Sequence, residues 1–504
     1  MIWKGRLLSI ISICMLTPMA EQPVDPRLLI DGHWIPARRR AAVRRPGSGD
    51  LLGEYQLAAP SDTVAAIDAA HRALPIWGRL SPRERGRILH RVGSELEDRA
   101  DDIASILSAE TGKLLSEAKG EVQLAVEYFR WFAEEGRRAY GEVVMGPAPE
   151  KRLLTIPRPR GVVATLTPWN FPVSILARKV AAALAAGCVV VSRPSGTAPL
   201  AVHLVAEAIV QAGVVSGAFN LVTGNHDDTA NVLIGDPRVR VVSFTGSTEV
   251  GRAIARASAA TLRHVTLELG GDAPFIVFDD ADIDVAVDQA CIAKYRNNGQ
   301  SCIAMNRVFV QEGVARQFVD AFVGRSLELN IGDPREIDTE LGPVISEAAA
   351  DRIEDWIVGA AADGSKVYRS APRVGMAKQF VRPAIILDPQ SGSRPAGEEI
   401  FGPAVGVTVF KSDEDAIRMA SDTPYGLAAY VMTNDLSKAF LVAQALPFGI
   451  IGINDTAPTT PEVPFGGLGQ SGFGKEGGHD GMAEFLDVQL LSMRMRNVAS
   501  IRSS

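Results

Sequence analysis

Cys302 stands in an odd place for a structural thiol. Between Tyr295 and Arg307 the chain reads YRNNGQSCIAMNR, a polar and glycine-containing loop where a buried cysteine would normally have apolar neighbours. Only a thiolate attacks, and a free thiol titrates near roughly 8.5, so loop amides or a cation are expected to lower that value. No histidine lies within thirty residues of it, so a local Cys-His dyad is not indicated. In LELGG, Leu267 to Gly271, Glu268 closes an apolar run beside two glycines that let another group approach. A carboxylate there either makes a structural pair or serves as a general base. In TPWNFP, Thr167 to Pro172, two prolines fix the backbone around Asn170. Its amide either donates to developing negative charge or caps the next helix. FTGSTEVG, Phe244 to Gly251, places Gly246 and Ser247 where a strand runs into a helix, a setting for an anion or for an ordinary cap. Thiol, carboxylate, amide donor and phosphate-type turn together indicate covalent catalysis with a redox step between attack and release.

The elements that must position these groups alternate. From Ser81 to Tyr140, Ile88, Leu89, Val92, Leu96, Ile103 and Leu107 recur at helical steps. Then GVVATL, CVVVS, AFNLVTG, VRVVSFTG and VTLELGG read as short buried strands separated by helical segments, and a second module runs from APFIVF through RVFVQ, PAVGVTVF, LAAYVMT and GIIGIN. This α/β alternation predicts a doubly wound parallel sheet that binds a nucleotide at its carboxyl edge. A chain of 504 residues, 46% hydrophobic and 22% charged, exceeds one core. The net charge of -7 argues against a nucleic-acid partner, and the basic run from Ala37 to Arg45 reads as a solvated loop or strand edge. Four cysteines form no CxxC and the seven histidines show no ligand spacing, so neither a disulfide framework nor a metal is expected. Residues 1 to 20 carry Lys4, Arg6 and an apolar run from Leu7 to Leu16 that has the outline of a signal peptide and is too short to span a membrane. Without other secretory features, and with Met15 or Met19 as alternative starts, a cytoplasmic protein is expected.

The ordered set TPWNFP, FTGSTEVG, LELGG, NNGQSC, EEIFGP (Glu398 to Pro403) and PFGGLGQSGFGKEGG resembles the aldehyde dehydrogenase superfamily from about Leu28 onward. The resemblance implies a Rossmann-type cofactor domain over 25–140 and 159–269, an α/β catalytic domain over 270–480, and a small oligomerisation sheet from 141–158 and 481–504 that makes a homodimer or homotetramer. Residues 1–24 stand outside this plan. It also implies roles. Cys302 attacks a small-molecule aldehyde, Asn170 and the Cys302 amide hold the oxyanion, the thiohemiacetal gives hydride to a nicotinamide, and Glu268 activates the water that hydrolyses the thioester. Glu399 holds the nicotinamide ribose with Phe401 against the ring, while Thr167, Trp169, Gly246 and Ser247 line the cofactor groove. Lys179 stands beside the site and Glu476 matches a second carboxylate assigned to proton relay.

Two departures bear on the cofactor. Where the family pattern is Lys-Pro-Ser-Glu, this chain reads Arg193-Pro194-Ser195-Gly196. Losing the glutamate removes repulsion of a 2′-phosphate, and Arg193 with Ser195 offers to bind it, so NADP is expected with NAD also accommodated. Gly469 replaces a lysine that many members carry. Arg178 and Arg296 resemble the arginines of succinate-semialdehyde dehydrogenases, where they clamp the far carboxylate, and Thr459 stands for the hydroxyl such enzymes add; either arginine would otherwise pair with a local acid. Ala304 replaces the second cysteine that some of this group use as a redox switch. A glutarate-semialdehyde or neutral-aldehyde dehydrogenase, a CoA-acylating relative and an inactive homologue are the alternatives.

Overall fold

The computed structural model describes residues 25–371, 375–390 and 398–495. The signal-like run is outside the described residues. Two large sheets organise the rest. The first has eight strands in the spatial order His33–Ile35, Leu28–Ile30, Phe219–Leu221, Val189–Pro194, Val162–Thr167, Val239–Thr245, His264–Glu268, Gly472–Phe473. Its five central strands are parallel. They follow the chain outward from Val162–Thr167 in one direction and then return to Val239–Thr245 on the other side. That is the 3-2-1-4-5 order of a dinucleotide-binding sheet, and it opens a crevice between the carboxyl ends of Val162–Thr167 and Val239–Thr245.

Local sequence explains these elements. All six residues of Val162–Thr167 are buried, as expected of a strand covered on both faces. The alanine-rich helix Pro172–Ala186 starts with proline in its first turn and stops at Gly187, whose φ of 93° suits glycine. The predicted helical stretch is three helices, Pro82–Asp98, Ala100–Thr111 and Leu115–Glu135, and it is preceded by a fourth, Pro60–Arg79. At the edge, Leu28–Ile30 and His33–Ile35 form a hairpin through Asp31 and Gly32, both with positive φ, and join the sheet antiparallel beside Leu221. The basic run lies on Arg39–Arg44, a mostly exposed strand paired with Leu51–Leu57.

The second sheet has seven strands in the order Lys366–Arg369, Ala384–Leu387, Ala404–Phe410, Met305–Gln311, Ala273–Val277, Ala428–Met432, Ile450–Ile453, parallel except at Lys366–Arg369. Its apolar residues pack in clusters separate from the core of the first sheet. Only Leu269 to Asp272 separate the last parallel strand of the first sheet from Ala273–Val277. The carboxyl edge of one sheet therefore faces the amino edge of the other, and the Cys302 loop enters that gap just before Met305–Gln311. A third sheet, Val143–Met145, Lys151–Pro159 and Leu486–Arg494, is antiparallel, with most of Leu486–Arg494 exposed.

Candidate active site

The polar residues before Cys302 are buried and tie its loop down. Asn297 and Asn298 both take left-handed backbone, φ 52° and 58°, a conformation asparagine tolerates better than most residues. The Asn297 amide donates to Glu117 Oε1 at 2.8 Å. Asn298 Nδ2 donates to the carbonyls of Gly112 and Pro343, and its Oδ1 accepts from Gly342 N at 2.7 Å. Gln300 Oε1 accepts from Ile345 N. Gly271 makes room on the other side: a Cβ there would lie 2.1 Å from the Cys302 carbonyl oxygen.

Asn170 is joined to the same loop. Its Nδ2 donates to Gln300 O at 3.1 Å, which leaves the second amide hydrogen for a ligand. Its own carbonyl accepts from Lys113 Nζ at 2.8 Å and Asn297 Nδ2 at 3.0 Å. Lys113 is fully buried and paired with Glu121, whose other oxygen caps the next helix by accepting from Val173 N and Ser174 N. Lys113, Glu117 and Glu121 thus position both the amide donor and the thiol, and sequence reasoning missed all three. Lys113 follows a helix end at Gly112 and its partner Asn170 lies 57 positions on, so no local pattern marks it.

Glu268 is 2% exposed, and neither carboxylate oxygen has a hydrogen-bond partner among the described residues. Burial, then the charge of Glu476, pushes its carboxyl well above the usual range, while Arg178 and Lys179 oppose that rise. A buried, unpartnered carboxylate with a raised pKa is how a general base is poised. Glu476 differs: burial raises it, but Arg178 and Lys179 outweigh burial and it stays ionised. Lys179 Nζ donates to Glu476 and to Ser243 Oγ at 2.9 Å. Burial lowers the Lys179 ammonium, against the pull of Glu476.

Cys302 departs from expectation. Burial pushes its thiol up to about 12, and the charges of Glu399 and Glu268 add to the effect, against a smaller opposing pull from Arg178. The expected lowering by neighbours fails because burial dominates and the two carboxylates outweigh the one cation, Arg178. Glu399, itself raised to about 8 mainly by burial, accepts from Gly271 N at 3.1 Å.

Arg178 and Arg296 separate. Arg178 is buried, its nearest carboxylate contact is Nε to Glu476 Oε2 at 2.6 Å, and its guanidinium lies 4.2 Å from the Phe465 ring centre. The local-acid alternative therefore describes Arg178, which is charge-compensated. Arg296 is half-buried, lies over the Phe171 ring at 5.3 Å, and makes no ion pair among the described residues. Thr459 is half-buried in the loop after Ile450–Ile453, with no hydrogen bond to either arginine.

The crevice suits a dinucleotide. Thr167 Oγ1 and Thr245 Oγ1, at the ends of the two switch-point strands, are buried without partners. Trp169 and Phe401 meet edge to face at 5.8 Å, with Phe401 at φ 50°. Ser247 caps the helix Thr248–Ala259 by accepting from Val250 N, and the Gly246 amide donates to Glu268 O, which ties the turn to the Glu268 strand. Arg193 Nη2 donates to Gly224 O at 2.9 Å and Ser195 Oγ accepts from Thr197 N. Among the described residues no cluster of His, Cys, Asp or Glu could hold a metal ion, and no helix is long and apolar enough to cross a membrane.

A dinucleotide-type sheet whose crevice opens on a half-buried thiol, an unpartnered carboxylate and an anchored amide defines a nicotinamide-dependent dehydrogenase of the covalent, cysteine-using kind. The chain belongs to the aldehyde dehydrogenase family, whose model matches residues 34–491. It is 42% identical to an NADP-dependent succinate-semialdehyde dehydrogenase of Escherichia coli, over 92% of this chain and 96% of that one. It is 39% identical to a glutarate-semialdehyde dehydrogenase of Pseudomonas aeruginosa, with the same coverage of each chain. The crystal structure of succinate-semialdehyde dehydrogenase from Burkholderia pseudomallei superposes with a TM-score of 0.92 at 39% identity, covering 94% of this chain and 98% of that one.

Two outcomes test this geometry. Glu268→Gln removes one of the charges that oppose the thiolate, so the pH at which iodoacetamide alkylates Cys302 should fall; an unchanged or raised midpoint refutes the coupling. Lys113→Met should lower kcat roughly 10- to 100-fold by loosening Asn170 while leaving the KM for cofactor near its original value, with partial rescue by Lys113→Arg. A parallel fall in every parameter together with the melting temperature would reduce Lys113 to a structural role.

Proposed function

We propose that the protein oxidises succinate semialdehyde to succinate with NADP, NAD being accommodated less well. The observation that carries the substrate is Arg296, a guanidinium without an ion pair among the described residues, one residue before the Asn297 anchor of Asn170 and four before the Gln300 anchor. It suits the far carboxylate of an acidic aldehyde. The acidic aldehydes named for the E. coli and P. aeruginosa relatives support the same class. Arg193 beside Gly196, with no acid in that position, supports NADP.

In this reading the Cys302 thiol gives up its proton to solvent as its sulfur bonds to the aldehyde carbon. The free hydrogen of Asn170 Nδ2 and the Cys302 amide hold the resulting oxyanion. The nicotinamide, when bound, supplies the two-electron acceptor for the carbon-bound hydrogen, and Glu399, Phe401, Trp169, Thr167, Gly246 and Ser247 are the residues that would hold it. Glu268 takes a proton from the water that adds to the thioester. The carbon–sulfur bond then breaks, releasing carboxylate and regenerating the thiol. Lys179 offsets the charge on Glu268 as it cycles, while the ionised Glu476 raises its affinity for the proton.

The same reading makes the protein a homodimer or homotetramer through the third sheet, where Val143, Met145, Val488 and Leu490 are 60% or more exposed. The three described cysteines, all unpaired, fit a reducing compartment such as the cytoplasm.

Initial rates of NADPH formation with succinate semialdehyde, glutarate semialdehyde and propanal test the substrate. Succinate semialdehyde should lead, and Arg296→Leu should raise its KM roughly tenfold or more while sparing propanal. A lead for glutarate semialdehyde moves the assignment by one methylene, and equal rates for propanal remove the clamp. Light scattering tests assembly: Val488→Lys with Leu490→Lys should yield monomers, and an unchanged mass excludes this sheet as the interface.

A further inference from the structure

Gly196 is a glycine for a reason its backbone does not supply, since its φ is not in the left-handed region. The reason is Tyr55. A Cβ on residue 196 would lie 2.2 Å from the Tyr55 hydroxyl and 3.0 Å from its Cζ. Tyr55 is 8% exposed. Tyr55 belongs to the core of the first sheet, and its strand is pinned through pairing with Ala41, through Gln56 Oε1 accepting from Ala37 N, and through Gln56 O accepting from Thr223 Oγ1 at 2.6 Å.

In a sheet of this order, the residue that selects between a ribose hydroxyl and a 2′-phosphate comes just past the second strand. Here that strand is Val189–Pro194, which runs out through Ser195 to Gly196. The surroundings favour a dianion. Arg193 is half-buried, donates to Gly224 O and to Thr229 Oγ1, and has no ion pair among the described residues. The neighbouring acid, Asp228, is taken by Arg39. The Tyr55 hydroxyl makes no hydrogen bond to a described residue and lies within the field of Arg193, which opposes the rise that burial gives its pKa. The Ser195 hydroxyl, accepting from Thr197 N, keeps its own hydrogen to donate.

We propose that Tyr55 is a specificity-determining residue for the cofactor: it fills the space a carboxylate at residue 196 would need and turns its hydroxyl to the 2′-phosphate alongside Arg193. Selection against the ribose-binding acid is therefore steric and resides in the separate strand pair Arg39–Arg44 and Leu51–Leu57, not in the nucleotide sheet itself. This inference rests on the NADP reading, and its test can separate the two.

Isothermal titration of the full chain with 2′,5′-ADP and with 5′-AMP gives binding without turnover. Wild-type protein should prefer 2′,5′-ADP; equal binding of the two overturns the NADP reading and the phosphate contact together, and leaves the steric half to the remaining variants. Tyr55→Phe should weaken 2′,5′-ADP about tenfold and leave 5′-AMP unchanged, the loss expected for one hydrogen bond to a charged group. Unchanged 2′,5′-ADP binding refutes the hydroxyl contact. Gly196→Glu alone should weaken both ligands, whereas Tyr55→Ala with Gly196→Glu should recover 5′-AMP binding and lose 2′,5′-ADP. If Gly196→Glu alone binds 5′-AMP as well as the double variant does, Tyr55 is not the barrier. Should the single variant fail to fold, a stable double variant supports the steric claim, and a double variant equally unable to fold refutes it.

Discussion

The buried Lys113–Glu121 pair is the joint on which the site's geometry depends. One carboxylate oxygen of Glu121 begins the helix Pro172–Ala186, the other holds Lys113, and Lys113 in turn holds the carbonyl of Asn170. The helical layer, the first sheet's switch-point strand and the cysteine loop therefore meet at a pair of opposite charges that neither water nor salt reaches. Such a pair adds little net stability over apolar residues of similar volume, but losing one member strands the other and costs about 3–5 kcal/mol. Its value is in position: a charge-assisted hydrogen bond fixes the amide donor before any substrate arrives.

The charges around the chemistry follow an order. Arg178 and Lys179 both neutralise Glu476, which leaves Glu268 as the carboxylate without a partner. Its basicity then comes from burial and from a neighbour that stays ionised. Two identical side chains thus acquire opposite states from their surroundings, one a counter-ion and the other, in the proposed mechanism, a proton acceptor.

The strands between Val162 and Glu268 were legible because covered parallel strands are continuous apolar runs, and the site residues were legible because each interrupts such a run with a polar group at its end. Glu268 after VTL and Asn170 between two prolines are examples. The edge strands Leu28–Ile30 and His33–Ile35 are three residues each, too short to display a period. Lys113, Glu117 and Glu121 were hidden for a different reason: their partners lie far along the chain, and an acidic helix turn reads as solvated until packing buries it. The state of Cys302 was misjudged because a loop sequence names its own amides but not the carboxylates that other segments bring beside it.

That last feature has a chemical consequence outside the catalytic cycle. Sulfur climbs from thiol to sulfenic acid and beyond only as the thiolate, so a cysteine kept protonated by burial and by Glu399 and Glu268 reacts slowly with peroxide while at rest. With Ala304 where a resolving thiol would stand, an oxidised Cys302 has no nearby partner in the loop to rescue it. Burial, with a smaller addition from Glu399 and Glu268, thus also shields the sulfur at rest.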